Sequence, residues 1–298
     1  MGHADILVLS QLSSEVSEPA AVPLGRWAAE VLAWTNENVR WLGDVVLWPF
    51  TQVLENVLIP LELLSPWWIV AGLFIVAWAK SPLTTALKAC GALALTIGLG
   101  ETTSSAAMKS FIIVFLTVLL VGIVAVPLGR LASGSGIAES RSWLIERLGL
   151  VQPWVLMAPT VFLFGIGEAA SMLLATIYAF PIAFFTAAGN RSDDGLNRAI
   201  ASLRKSVLPA LWIHILAAIM GAGGLGTMLF RGINNLSSVD VFNAGIAAAL
   251  VGYALQQLFS PASPNLLGGM LGVSADDDLD TEGGIVSVQL TPDGTAGV

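Results

Sequence analysis

The sequence is poor in charge, in cysteine and in histidine, and each shortage removes a class of function. Only 11% of its 298 residues are Asp, Glu, Lys or Arg, against about 25% in an ordinary soluble domain. The one cysteine, Cys90, lies inside an apolar run, so no disulfide can form within the chain. The two histidines, His3 and His214, come without a G-x-S-x-G turn, which leaves Ser/His/Asp hydrolysis without support. No acid lies inside the long apolar runs to relay protons or hold a metal, and no nucleophile cluster marks a membrane enzyme. No G-x-x-x-x-G-K-[ST] occurs, so the chain carries no phosphate-binding loop of its own. The balance of 13 basic against 21 acidic residues leaves nothing basic enough to bind nucleic acid. The opening MGHADILVLS lacks a basic n-region and a cleavage site, so no signal peptide is expected.

What is present is apolar. Hydrophobic residues make up 55% of the chain and the mean hydropathy is +0.79, the composition of a polytopic membrane protein. The centre of the pattern is 151–189, VQPWVLMAPTVFLFGIGEAASMLLATIYAFPIAFFTAAG. Twenty uncharged residues separate Arg147 from Glu168, and 22 separate Glu168 from Arg191. Each run is long enough to cross a bilayer as a helix, and Gly165 and Gly167 can turn the chain between them. The expectation is a helical hairpin with Glu168 at its tip. Pro159 and Pro181 fall inside its arms, where a membrane bundle tolerates kinks that line a cavity or simply pack.

Around this hairpin the chain predicts an all-α bundle of about seven membrane helices. Residues 1–25 are polar. From Arg26 to Leu54, Trp27, Val31, Trp34, Trp41, Val45 and Trp48 recur at helical spacing opposite Glu30, Glu37, Arg40 and Asp44. That pattern predicts an amphipathic helix lying in the membrane interface. The first three spans are Leu63–Ala79, Leu83–Gly100 with Lys88 inside it, and Ser110–Gly129. A polar loop over 130–147, including LASGSG and an amphipathic piece from Ser140 to Leu148, leads to the hairpin, which supplies spans four and five. Asn190–Lys205 reads as a polar loop, Ser206–Phe230 as span six, and Val241–Phe259 as span seven. The tail after Pro261, with ADDDLDTEGG, has no apolar periodicity and is expected to be disordered. Lys80, Arg130, Arg141, Arg147, Arg191, Arg198, Arg204 and Lys205 would lie inside; Arg26, Arg40, Lys109 and Arg231 would lie outside. This predicts an outside N-terminus, a cytoplasmic C-terminus and an outward-facing Glu168.

Three features invite a functional reading. Gly221-Ala222-Gly223-Gly224-Leu225-Gly226 closes span six; it lacks the strand that a nucleotide-binding glycine loop follows, so it reads as close helix packing, an irregular segment at a cavity or a flexible helix end. His214 is the sole titratable group of span six, either a packing residue or a pathway residue. In the 190–205 loop, Leu196, Ala199, Ile200 and Leu203 recur at helical spacing, with Arg198, Arg204 and Lys205 beside them. They predict a short amphipathic helix from Leu196 to Leu203 that offers an apolar face to a partner's groove, or else cations that merely fix topology. The candidate pathway and packing residues are therefore Pro159, Phe164, Gly165, Gly167, Pro181, His214, Gly223, Gly224 and Gly226. The candidate coupling residues are Leu196, Arg198, Ile200, Leu203, Arg204 and Lys205.

WVLMAPTVFLFGIG, YAFPIAFFTAAG and GAGGLGTMLFRGINNL, in this order, resemble the permease subunit of glycine betaine/proline (osmoprotectant) importers of the ATP-binding-cassette class. The resemblance runs from about residue 20 to 260. It implies a type I importer-like transmembrane core at 106–260, preceded by two accessory membrane helices at 63–105 and an N-terminal tail and interfacial helix at 1–62, and followed by an acidic tail at 261–298. It also implies a homodimer in the lipid bilayer of the inner membrane, a separate cytoplasmic ATPase that binds the ATP, an extracytoplasmic solute-binding protein, and no cofactor or catalytic residue on this chain. The loop between spans five and six is shorter here than in that family, with Arg198-Ala199-Ile200-Ala201 and Val207-Leu208-Pro209 as its remnants, and Leu211-Trp212-Ile213-His214 replaces the family's pattern. The alternative is a degenerate, non-transporting relative that serves as a membrane scaffold.

Overall fold

A computed structural model of the chain describes residues 40–133, 153–189 and 195–260, together with Trp27, Glu30, Val31, Ala33, Trp34, Glu37 and Asn38. Every described element is helical, and the described residues include no strand. The expected features at 1–25, 134–152, 190–194 and 261–298 lie outside the described residues.

Helix α1 (Arg40–Val53) passes through a π-helical turn at Leu54–Leu58 into the short α2 (Ile59–Glu62). Pro60 has no N–H to give to the carbonyl four residues before it, and the turn ahead of it widens. After Ser65 the chain bends by 111° into α3 (Pro66–Lys80), with Pro66 at the first helical position, where its missing N–H costs nothing. Ser81-Pro82 turns α3 into α4 (Leu83–Gly98), which packs against α3 on one side and against α10 on the other.

The 32-residue α5 (Glu101–Ala132) is the central column, about 48 Å long. Ile113, Val114, Val118 and Val121 are wholly buried along it, and α7, α8, α9 and α10 all pack on it. Next come α6 (Pro153–Phe164) and α7 (Glu168–Gly189), joined by the turn at Gly165–Gly167. In lipid, helix association rests on close contact rather than on removal from water, so small residues mark the tightest seams. Gly129 of α5 is one: a Cβ there would stand 2.6 Å from the Phe184 carbonyl oxygen and 2.7 Å from the Ala187 methyl group of α7.

α8 (Gly195–Leu216) ends in a 3-10 turn, Ala217–Met220. The chain then breaks at Gly221–Gly223 and restarts as α9 (Gly224–Asn234). Ser237 caps α10 (Ser238–Leu258), its hydroxyl accepting from the Asp240 amide.

Four helices among the described residues are long and apolar enough to span a membrane: α5, α7, Ala199–Met220 and α10. Counting the bent α1–α3 pair as one makes five. The helical membrane bundle is as expected; the described residues do not confirm the count of seven. α4, with 16 residues, falls short of a span by length. α6 has 12 described residues, about 18 Å of helix against a core of about 30 Å, and the residues before it are not described. The expected span six, Ser206–Phe230, is not one helix: consecutive residues with positive φ at Gly223 and Gly224 break it, and the apolar character continues on both sides of the break. The expected short helix at Leu196–Leu203 is the first two turns of the continuous α8, so the polar loop ends by Gly195 rather than at Lys205.

Candidate translocation site

Two glycine turns meet at one end of the bundle. The Gly167 amide donates to the Met220 carbonyl at 2.9 Å, tying the hairpin tip to the break between α8 and α9. Beneath them lies Lys109, two turns into α5. Its ammonium is 2.5 Å from Glu168 Oε1 and 3.0 Å from Glu62 Oε1, with 26% of its side chain exposed. Three parts of the chain thus converge on one cation: the end of α2, the third turn of α5 and the start of α7.

The glycine break closes directly over this ion pair. A Cβ on Gly223 would stand 2.9 Å from Lys109 Cε and 3.2 Å from Glu168 Oε1. At Gly224, φ is +67°, and a Cβ would run into Ser110 Oγ. Only glycine combines that backbone with that proximity. Ser110 uses the approach: its hydroxyl accepts from the Leu225 amide at 2.8 Å, satisfying an N–H in the first turn of α9.

Clefts open on three sides of the ion pair. One, of about 480 Å³, lies between α5 and α9 and is bordered by Lys109, Gly223, Gly224, Thr227, Arg231 and Asp240. A second, of about 310 Å³, lies between α5 and the α2–α3 bend and includes Glu62, Ser105 and Lys109. The third, of about 520 Å³, runs from Glu55 of the π turn to Phe164, Gly167 and Glu168. Sizes of this order suit small organic solutes. The charged side chains that border these clefts are Glu55, Glu62, Lys109, Glu168, Arg231 and Asp240. Among the described residues, no three His, Cys, Asp or Glu side chains gather as a metal site.

The expected residues divide between this end and the rest of the bundle. Phe164, Gly165, Gly167, Gly223 and Gly224 come together at the two turns. Gly226 lies just beneath, its Cα packed against the Ile215 backbone and the Ala218 methyl group. Pro159 is more than a turn down α6, and Pro181 is thirteen residues along α7, about 20 Å from the tip. His214 lies two turns before Gly221, is 1% exposed, and neither ring nitrogen has a hydrogen-bond partner.

The coupling candidates all lie on α8, toward the far end of α7 from Glu168. Arg204 and Lys205 are exposed and Ile200 is half-buried, while the side chains of Leu196 and Arg198 are not described. Leu203 is half-buried and packs over Gly122 of α5, against the edge of the main core. Lys109, Glu62 and Ser110 escaped the sequence reading. Lys109 and Glu62 border apolar runs, where a charge reads as a topology marker, and no local pattern says that they meet.

No family model matches the chain. It is 23% identical over 271 residues to the glycine betaine/proline betaine transport system permease protein ProW of Escherichia coli (strain K12), covering 80% of this chain and 74% of that protein. It is 24% identical over 264 residues to the protein of the same name from Salmonella typhimurium (strain LT2), with the same coverage. It is 22% identical over 178 residues to the glycine betaine transport system permease protein OpuAB of Bacillus subtilis (strain 168), covering 51% of this chain and 63% of that protein. The chain, an all-helical bundle with apolar spans and a polar, glycine-closed end, is thus similar over most of its length to glycine betaine transport permeases, the resemblance its motifs carry.

Proposed function

We propose that the chain is the membrane-spanning permease subunit of a binding-protein-dependent importer for a small compatible solute of the glycine betaine, proline or choline kind. The observation that carries this reading is the closure of two glycine turns over the Lys109–Glu168 ion pair, with clefts of small-solute size around it, in a chain similar to permeases of that name. Transport against a gradient needs a drive. The chain has no phosphate-binding loop, and its spans hold no carboxylate chain for proton coupling. The drive therefore comes from a separate cytoplasmic ATPase, and the solute from a binding protein on the opposite face. The chain itself is not an enzyme and needs no cofactor. It sits as a multi-pass protein in the inner membrane, paired with a second copy. Lys109 and Arg231 border one cleft and face outside, while Arg204 and Lys205 face the cytoplasm, as the inside excess of Lys and Arg requires.

The test is affinity purification of the tagged chain from its native membrane in mild detergent. An ATPase subunit should co-purify in stoichiometric amount. In proteoliposomes, its hydrolysis should rise severalfold when binding protein and glycine betaine are added together. Purification of the chain alone, with no ATPase under any detergent tried, would support the scaffold alternative.

A further inference from the structure

The two halves of the Lys109–Glu168 ion pair face different clefts. Lys109 borders the cleft between α5 and α9, and Glu168 does not; Glu168 borders the cleft beside the π turn, and Lys109 does not. The α5–α9 cleft is basic, with Lys109 and Arg231 against Asp240. The π-turn cleft is acidic, with Glu55 and Glu168 and no cation on its border. Gly221 borders the acidic cleft and Gly223 the basic one, so the two open on either side of one glycine break. Arg231 and Glu55 are exposed, and neither forms an ion pair among the described residues. Each cleft thus offers one charge already matched within the Lys109–Glu168 pair and, beside it, one of the same sign that is free.

The linings differ in the same sense. Around Glu55 and Glu168 stand Leu47, Leu54, Phe164 and Ala169. A primary ammonium carries three N–H donors and needs an acceptor for each, whereas an alkylated one needs only opposite charge and apolar contact. Leucine and alanine side chains suit its methyl groups, and a phenyl ring attracts its charge. On the basic side, the Arg231 guanidinium has the planar fork that matches a carboxylate.

We propose that the Lys109–Glu168 pair holds the place of a zwitterionic solute with an alkylated ammonium. The solute's carboxylate takes Lys109 and Arg231, its ammonium takes Glu168 and Glu55, and the Lys109–Glu168 contact parts to admit it. This rests on the permease reading above and adds the solute's contacts and its orientation. The exchange is balanced: one ion pair breaks and two form, so neither Lys109 nor Glu168 is left as an unpaired charge in a partly buried place. An anion alone would strand Glu168, a cation alone would strand Lys109 with Glu62, and a neutral solute would replace neither contact.

The test uses the full-length chain in lipid nanodiscs without binding protein or ATPase. Saturation-transfer NMR reads contact at the methyl protons of three probes at equal concentration. These are glycine betaine, choline as a cation alone, and tert-butylacetate, which has the shape of glycine betaine with carbon in place of the charged nitrogen. Glycine betaine should receive at least about threefold more transfer than either of the others, the worth of one partly exposed charge contact. Arg231→Gln should lower the signals of glycine betaine and tert-butylacetate and leave that of choline. Glu55→Gln should lower those of glycine betaine and choline and leave that of tert-butylacetate. Both positions are exposed, and either arm can be read without the other if one variant misfolds. Equal transfer to all three probes, or none to glycine betaine, would overturn the dipolar site, as would a glycine betaine signal that neither variant changes. An ATPase that co-purifies and responds to binding protein and glycine betaine, without this pattern of probes, would leave the importer reading in place and remove the site.

Discussion

Lys109 on α5 and Glu168 at the start of α7 form an ion pair beneath the Gly223 backbone, and Glu62 approaches the same ammonium from the other side. One cation thus serves two carboxylates. Its loss would leave two acids facing each other in a partly buried place, where unpaired charge costs more than the intact pair gains.

Lys109→Gln should lower stability by about 1–2 kcal/mol, a discount from fully buried pairs because these side chains are roughly a quarter to a third exposed. Thermal unfolding in detergent measures this. The exchange Lys109→Glu with Glu168→Lys should recover part of what either single change loses. Strict additivity of the two single effects would mean that the pair carries no coupling.

Gly224→Ala should cost more than about 2 kcal/mol, because it adds positive-φ strain to a collision with Ser110 Oγ. Gly224→Leu should insert in the membrane yet lose assembly or transport. Gly245→Ala on α10 is the contrast: nothing stands within 4 Å of its Cβ position, so the change should be neutral or stabilise by up to about 1 kcal/mol. Equal effects at the two positions would remove the packing account of Gly224.

Orientation can be read by labelling single cysteines in the Cys90→Ala background. Ile166 is 76% exposed at the hairpin tip and is not itself a member of the Lys109–Glu168 ion pair. Ile166→Cys should react with an impermeant thiol reagent from outside, and Lys205→Cys only after the membrane is opened. The opposite pattern would invert the topology.

Ile200 and Leu203 should behave differently despite their neighbouring places on α8. Ile200→Asp should abolish ATPase co-purification while leaving the melting temperature within a few degrees of the parent. Leu203→Ala should cost about 2 kcal/mol by opening the contact over Gly122, with the partner retained under conditions where the chain stays folded. Retention of the ATPase by Ile200→Asp, and again after 195–201 is replaced by Gly and Ser, would show that this segment is not the docking element.

Much of the bundle is a local property of the chain and was legible from it. The apolar runs around Ser110–Gly129, Glu168–Gly189 and Val241–Phe259 become α5, α7 and α10 because a long run without charge has one stable course in lipid, a hydrogen-bonded helix. The turn at Gly165–Gly167 was legible for the same reason: two glycines and an acid interrupt an otherwise continuous pattern. The glycine run at 221–226 was legible as an irregular segment or helix end, but the separate helix beyond it was not, because Ser206–Phe230 is uncharged throughout; the left-handed φ at Gly223 and Gly224 goes with the fit against Ser110 and Lys109. The same fit turns the outer arm of the expected sixth span into the separate helix α9. Nor could any periodicity bring Glu62, Lys109 and Glu168 together, since they lie on three elements whose meeting depends on the 111° bend before α3 and on the packing of α7 along α5. Local sequence determines where a membrane chain is helical. Which charges meet at the end of the bundle is decided by helix packing, where close approach of small residues selects one arrangement among many of equal hydropathy.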